Sequence, residues 1–247
     1  MSKITFEICV DTPHGLKVAK QAGADRVELC SALAAGGLTP SRGLMRLARE
    51  IDMPAHVMIR PREGDFCFSE DELKLMLDDI ALAKSEKMQG VVLGATHADG
   101  TLDERTLKTL IDAANGMDLT LHRAFDVTPE PLSALETAIE LGFDRILTSG
   151  QQAKASDGKG LLAEIVTAAR GRIEIMPGSG VNAEVISHLA AAMPLTNIHA
   201  SCAAPLPQSP DAAVKLGFAA EAGRRDASLK VAQKLALELS HFEGAAS

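Results

Sequence analysis

A chain of 247 residues that is 46% hydrophobic has ample material for a buried core, but seven Phe and no Trp or Tyr leave that core to aliphatic packing. A net charge of −8 with no basic run excludes sequence-independent nucleic-acid binding, which needs clustered Lys and Arg to displace counterions from phosphates. The opening MSKITFEICVDT carries only a strand-length apolar run, so no signal peptide or membrane span is expected and the protein reads as cytoplasmic. Cys9, Cys30, Cys67 and Cys202, with no CxxC pair, read as reduced thiols rather than a disulfide framework, and a zinc site with close ligand spacing is not expected.

Apolar, β-branched-rich runs recur at residues 4–10, 26–30, 55–60, 90–94, 118–123, 144–148, 173–177 and 196–201. Their near-continuous hydrophobicity suits strands buried on both faces of a parallel sheet. Helical patterns fill the intervals. Thr12-Pro13, Thr39-Pro40 and Thr128-Pro129 each set a capping hydroxyl before a proline suited to a first turn, and Ser69-Glu70-Asp71-Glu72 is a capping box. Eight strand–helix units predict one α/β domain over residues 1–247, a closed (β/α)8 TIM-type barrel, with an open doubly wound sheet as the alternative. Pro205, Pro207 and Pro210 predict that 203–247 forms a long loop or short helices followed by a closing helix around Leu229 to Leu239. Covering the barrel mouth or meeting a partner subunit are the two roles expected of such a loop.

In such barrels the chemistry sits at the carboxyl ends of the strands, so the last residues of each strand are the candidates. They include Glu7, Cys9 and Asp11 on the first strand and Glu28 and Cys30 on the second, a Glu-x-Cys pair that occurs twice. Arg60, His122, Arg123, Asp126, Ser149, Ser179, His199 and Ser201 follow. Period-two alternation puts Glu28 and Cys30 on one strand face. Two carboxylates on adjacent strands need cations, and Arg60, His122 and His199 are the expected ones. A structural salt-bridge network filling the barrel fits the same residues. Cys9 and Cys30 on neighbouring strands offer a two-thiolate site of the kind Cu(I) accepts, or two buried apolar thiols. Gly178-Ser179-Gly180 after the seventh strand, before a helix that Asn182 could cap, fits an anion-binding turn or a plain tight turn.

The ordered segments Glu7-Ile8-Cys9-Val10-Asp11, Gly23-Ala24-Asp25-Arg26-Val27-Glu28-Leu29-Cys30-Ser31, Gly36-Gly37-Leu38-Thr39-Pro40-Ser41, Met58-Ile59-Arg60-Pro61-Arg62, Gly64-Asp65-Phe66, His122-Arg123-Ala124-Phe125-Asp126 and Arg145-Ile146-Leu147-Thr148-Ser149-Gly150-Gln151 resemble the CutC copper homeostasis proteins over residues 3 to 202. The resemblance implies a cytosolic TIM-type barrel, a homo-oligomer (dimer or tetramer), and a link to copper, with Cys9 and Cys30 matching the proposed Cu(I) ligands. Copper homeostasis through a Cu(I)-binding thiol pair at the barrel mouth is thus the first functional expectation. The alternative is an enzyme acting on a small anionic or sugar-like substrate. In it Glu7 or Glu28 would be general acid or base and His122 a proton carrier near neutral pH. Arg60 and Arg123 would clamp the substrate, and Ser149, Gly178, Ser179, Gly180 and His199 would contribute to the anion site.

Overall fold

The computed structural model describes residues 3–243. Its eight parallel strands are β1 (Thr5–Val10), β2 (Arg26–Leu29), β3 (Ala55–Met58), β4 (Gly90–Leu93), β5 (Asp118–Leu121), β6 (Arg145–Thr148), β7 (Glu174–Pro177) and β8 (Asn197–Ala200). They pair in the order β7-β6-β5-β4-β3-β2-β1-β8, and β7 returns alongside β8, so the sheet wraps into a nearly closed TIM-type barrel. Helices α1 (Pro13–Ala22), α2 (Arg42–Glu50), α3 (Glu70–Ser85), α4 (Glu104–Ala113), α5 (Pro131–Glu140), α6 (Lys159–Ala169) and α7 (Ile186–Ala192) alternate with the strands. Each predicted run holds one strand, trimmed by up to two residues at its ends.

Local chemistry sets the helix boundaries. The Thr12 side chain accepts a bond from the Gly15 N–H at 2.8 Å with Pro13 in the first turn, and Gly23, at φ 75°, closes α1 in the left-handed region that glycine tolerates. Ser69 and Glu72 form the expected capping box. Two expected caps differ. Thr39 spends its hydroxyl on the Arg60 backbone and leaves α2 to Ser41; Thr128 donates to the Phe125 carbonyl, and α5 starts at Pro131. Asn182 caps a turn at Glu184 rather than α7 itself.

Between the sheet and its helices lies an aliphatic layer that includes Ile8, Leu16, Leu29, Met45, Val57, Met76 and Leu107, with Phe125 the largest fully buried side chain. The barrel interior is polar at its amino-terminal end. Arg145 Nε lies 3.2 Å from Glu174 Oε2 and its Nη1 3.4 Å from His56 Nδ1, while His56 Nε2 lies 3.4 Å from Asp118 Oδ2. Gly90 is required there: a Cβ would fall 2.7 Å from the His56 ring. A polar cluster of residues other than the predicted ones thus fills the barrel one layer below the mouth.

After β8 a short antiparallel hairpin, β9 (Ala203–Pro205) with β10 (Arg225–Ala227), encloses α8 (Asp211–Lys215), and α9 (Leu229–Glu243) packs against α1. The hairpin, where a loop or short helices were expected, is fastened by Thr12 Oγ1, which donates to Asp226 at 2.9 Å. The final four residues of the segment 203–247 lie outside the described residues. No helix among the described residues is long and apolar enough to cross a membrane.

Candidate functional site

Strand register builds the site. In the parallel ladders Glu7 stands opposite both Arg26 and His199, and Cys9 opposite Glu28. Arg26 Nε lies 2.5 Å from Glu7 Oε2, and His199 Nδ1 2.7 Å from Glu7 Oε1. Burial alone would raise the Glu7 carboxyl; the His199 hydrogen bond and the Arg26 charge outweigh it and hold Glu7 well below the usual carboxylate range. Burial likewise opposes a charged His199, but the acceptors around it, Cys9, Glu28 and Glu7, hold it well above an ordinary histidine. The cations that meet Glu7 are thus His199, which was expected, and Arg26, which was not. Arg60, the expected arginine, donates instead to the carbonyls of Ala35, Gly37 and Gly64 and stacks its guanidinium 5.1 Å from the Phe66 ring centre.

Glu28 has no such arginine. Its Oε2 accepts from the Cys30 thiol at 3.4 Å and lies 3.9 Å from His199 Nε2, while its Oε1 has no partner among the described residues. Burial, with the Glu7 charge adding to it, pushes this carboxyl up despite His199. Environment therefore pushes the two carboxyls in opposite directions, Glu7 down through His199 and Arg26 and Glu28 up through burial.

Above them opens a cavity of about 420 Å³ whose walls include Cys9, Glu28, Met58, Arg60, Phe66, His122, Arg123, Ser179, Gly180 and His199. His122 Nδ1 accepts from the Ala124 N–H at 3.1 Å, which leaves the proton of the neutral ring on Nε2, an atom with no partner among the described residues. Burial, with the Arg60 charge nearby, lowers His122 to about 3. A proton carrier near neutral pH was expected; the structure holds a neutral imidazole whose Nε2–H is a fixed donor. Its ring packs against Phe66 and fills the space beside Gly94, where a Cβ would fall 2.5 Å from Cε1.

The remaining candidates are placed as follows. Arg123 lines the cavity but is held by Asp126 at 2.7 Å and Ser149 at 2.8 Å. Ser149 is fully buried in that network, away from the cavity wall. Asp126 gathers the hydroxyl of Thr148, the hydroxyl and N–H of Ser149 and the N–H of Gln151. Ser179 turns its hydroxyl to the Ala153 carbonyl at 2.7 Å, and Gly178 packs against Leu147 and His199. Cys30 sits in an apolar cluster with Met58 and Val92, and burial pushes its thiol well up. Cys202 is pushed up to about 12, and Cys67 lies half-buried in the loop before α3.

Among the described residues, one group of three side chains has metal-ligating atoms that all lie within 4.8 Å of one another: Cys9, Glu28 and His199. Cys30 is outside that group. The sequence reading overlooked Arg26 as Glu7's partner, although Arg26 begins the same period-two face as Glu28, and Phe66, whose loop position gave no periodic signal.

The CutC family model matches residues 4–204. A family protein CutC of Agrobacterium fabrum is 49% identical over 244 residues, covering 98% of this chain and 97% of the relative; one of Sinorhizobium medicae is 48% identical over 231 residues, 94% of each. A solved CutC from Streptococcus agalactiae, named for copper homeostasis, superposes with a TM-score of 0.76 at 32% identity over 80% of this chain and 98% of its own. A thiamine phosphate pyrophosphorylase from Pyrococcus furiosus, 14% identical at a TM-score of 0.59, shares the fold alone. With a barrel of this topology, a family match over most of its length and relatives at nearly half identity, the chain belongs to the CutC family.

Proposed function

We propose that the barrel mouth binds a small oxygen-rich anion, such as a hydroxy acid, an oxo acid or a sugar acid, and acts on it by acid–base chemistry. One observation carries this reading. The buried side-chain atoms without a partner among the described residues are Glu28 Oε1, Arg60 Nε and His122 Nε2, and all three belong to walls of the same 420 Å³ cavity. Buried polar atoms are rarely left unpaired, and a cluster of them around one void points to a ligand that completes the bonds. Two of the three, Arg60 Nε–H and His122 Nε2–H, are obligate donors in this setting and favour an oxygen on which negative charge develops. Glu28, whose carboxyl burial pushes up from the usual carboxylate range, supplies or receives the proton.

The test is a thermal-shift screen of small hydroxy acids, oxo acids and sugar phosphates, followed by titration of each stabilising compound against Glu28→Gln, His122→Asn and Arg60→Lys. Weakened binding in all three variants is expected. Compounds that stabilise every variant as well as the parent bind elsewhere, and the reading then fails.

A second reading takes Cu(I) as cargo, held by the thiols of Cys9 and Cys30 as the family resemblance implies. Both thiols flank Glu28: Cys30 donates to its Oε2, and Cys9 lies among the group that meets its carboxylate within 4.8 Å. Cu(I) accepts two soft thiolates, although Cys30 must lose its proton against full burial to serve. Anaerobic Cu(I) titration against a competing chelator checks this; an affinity unchanged in the Cys9→Ser, Cys30→Ser double variant rejects it.

A further inference from the structure

We propose that Cys9 Sγ, a Glu28 carboxylate oxygen and His199 Nε2 form a site for a borderline divalent cation, zinc foremost, with a fourth position open to the cavity. The trio shares Glu28 with the anion reading but is tested apart from it, because Arg60 and His122 take no part in it.

The geometry comes first. The three ligand atoms lie within 4.8 Å of one another, and His199 Nε2 is 3.9 Å from Glu28 Oε2. Zinc bonds of about 2.0–2.3 Å in a tetrahedron separate ligand atoms by roughly 3.3–3.8 Å, so closure onto an ion needs shifts of about 1 Å or less. The three residues come from β1, β2 and β8, which are adjacent in the barrel. The close sequence spacing of zinc-finger ligands is unnecessary when strand register performs the assembly.

Charge comes second. A thiolate and a carboxylate with a neutral imidazole cancel a dication, leaving a buried site without net charge, whereas a pair of thiolates around a monovalent copper leaves one negative charge in the interior. One sulfur, one nitrogen and one oxygen ligand suit a borderline ion better than a strictly soft one.

The surroundings come third. His199 turns Nδ1 to Glu7 at 2.7 Å, which leaves Nε2 as the ligand nitrogen, and Glu7 is itself fixed by Arg26. This carboxylate–histidine arrangement is the one that orients metal-bound imidazoles. Glu28 Oε1 has no other partner, and the cavity gives the ion a route in and an open coordination position facing the space where a small molecule fits.

The experiment uses the full chain stripped with a chelator and dialysed. Zn²⁺ is titrated in competition with a chromophoric chelator, and Co²⁺ is added separately to read the thiolate-to-metal charge-transfer band. One equivalent per chain and a thiolate band are expected. Cys9→Ser should abolish the band, and Cys9→Ser and His199→Ala should each weaken Zn²⁺ by at least about 100-fold. Glu7→Gln should weaken it by about 10–100-fold and Cys30→Ser by less than about threefold. Should His199→Ala fail to fold, the parent protein still decides: Zn²⁺ should slow alkylation of Cys9 by a small reagent at least about tenfold, with Cys67 unprotected on the same peptide map. Absence of stoichiometric Zn²⁺ binding, binding indifferent to Cys9→Ser, unprotected Cys9, or a loss in Cys30→Ser as large as in Cys9→Ser each overturns the proposal, the last by moving the metal onto the thiol pair. A compound that binds through Arg60 and His122 without added metal leaves the anion reading standing whatever zinc does.

Discussion

His199, on the cavity wall, holds its Nδ1 2.7 Å from Glu7 Oε1, and Arg26 closes on the other oxygen of the same carboxylate at 2.5 Å. All three side chains are buried, so the carboxylate is balanced by two cationic partners and breaking the set leaves charge stranded. Glu7→Gln should therefore cost about 3–5 kcal/mol of folding stability. Glu28→Gln, at a carboxyl that no arginine pairs with and whose charge burial already disfavours, should cost less than about 1.5 kcal/mol. Urea unfolding of both variants at pH 7 checks the difference; equal losses would mean that the two glutamates carry the same charge.

His122 gives the fold a pH dependence of fixed sign. Its folded value of about 3 lies below the ordinary 6.5, so between those limits the unfolded chain binds the extra proton. Its contribution to stability is fully present above about pH 6.5 and is lost as pH falls toward 3, with a slope of at most about 1.4 kcal/mol per pH unit. Glu7, held low, adds loss in the same direction below about pH 4.5. Urea midpoints measured between pH 4 and 7 should show a steeper fall in the parent than in His122→Asn, most clearly between pH 5 and 6.5, where Glu7 does not titrate in either state.

Gly94 holds space for the His122 ring. A methyl there would sit 2.5 Å from Cε1, 2.6 Å from Nδ1 and 2.9 Å from the Ala124 Cβ, so Gly94→Ala must displace the imidazole. A loss of roughly 1–3 kcal/mol is expected. Any compound whose binding depends on His122 should lose affinity in Gly94→Ala by a factor similar to that in His122→Asn, as isothermal titration would show.

Asp126 is the organiser of the loop after β6. Its carboxylate accepts from the Ser149 and Gln151 N–H groups and pairs with Arg123 at 2.7 Å. In Asp126→Asn one acceptor oxygen becomes an amide facing those same donors. The expected cost is about 2–4 kcal/mol, with faster amide hydrogen exchange at Ser149 and Gln151 and little change in the strands opposite.

Much of this architecture is legible in the sequence because strands buried on both faces are written as continuous apolar runs, and the ends of those runs then gather Glu7, Glu28 and His199 as candidates at one mouth. The partners were harder. Arg26 and Arg60 look alike in sequence, and what separates them is register: Arg26 lies directly opposite Glu7, while Arg60 follows β3 and meets the carbonyls of the turn around Gly36. The sequence suggests a proton carrier near neutral pH at His122, whereas burial, a property of the assembled barrel, keeps the ring neutral there. Thr39-Pro40 and Thr128-Pro129 carry the right residues for caps, yet their hydroxyls found tertiary or turn partners first. The hairpin of β9 and β10 has three-residue strands, too short to leave any alternation to read.

The pairing of β1 with β8 also sets an order of events for the growing chain. During synthesis β1 is made early, and one of its edges stays unpaired until a strand some 190 residues later arrives to cover it, an exposure that invites wrong partners. The same late arrival brings His199 to Glu7, Cys9 and Glu28. Barrel closure and completion of the Cys9, Glu28 and His199 trio are thus one step, and until β8 arrives Cys9 and Glu28 stand without the imidazole that joins them.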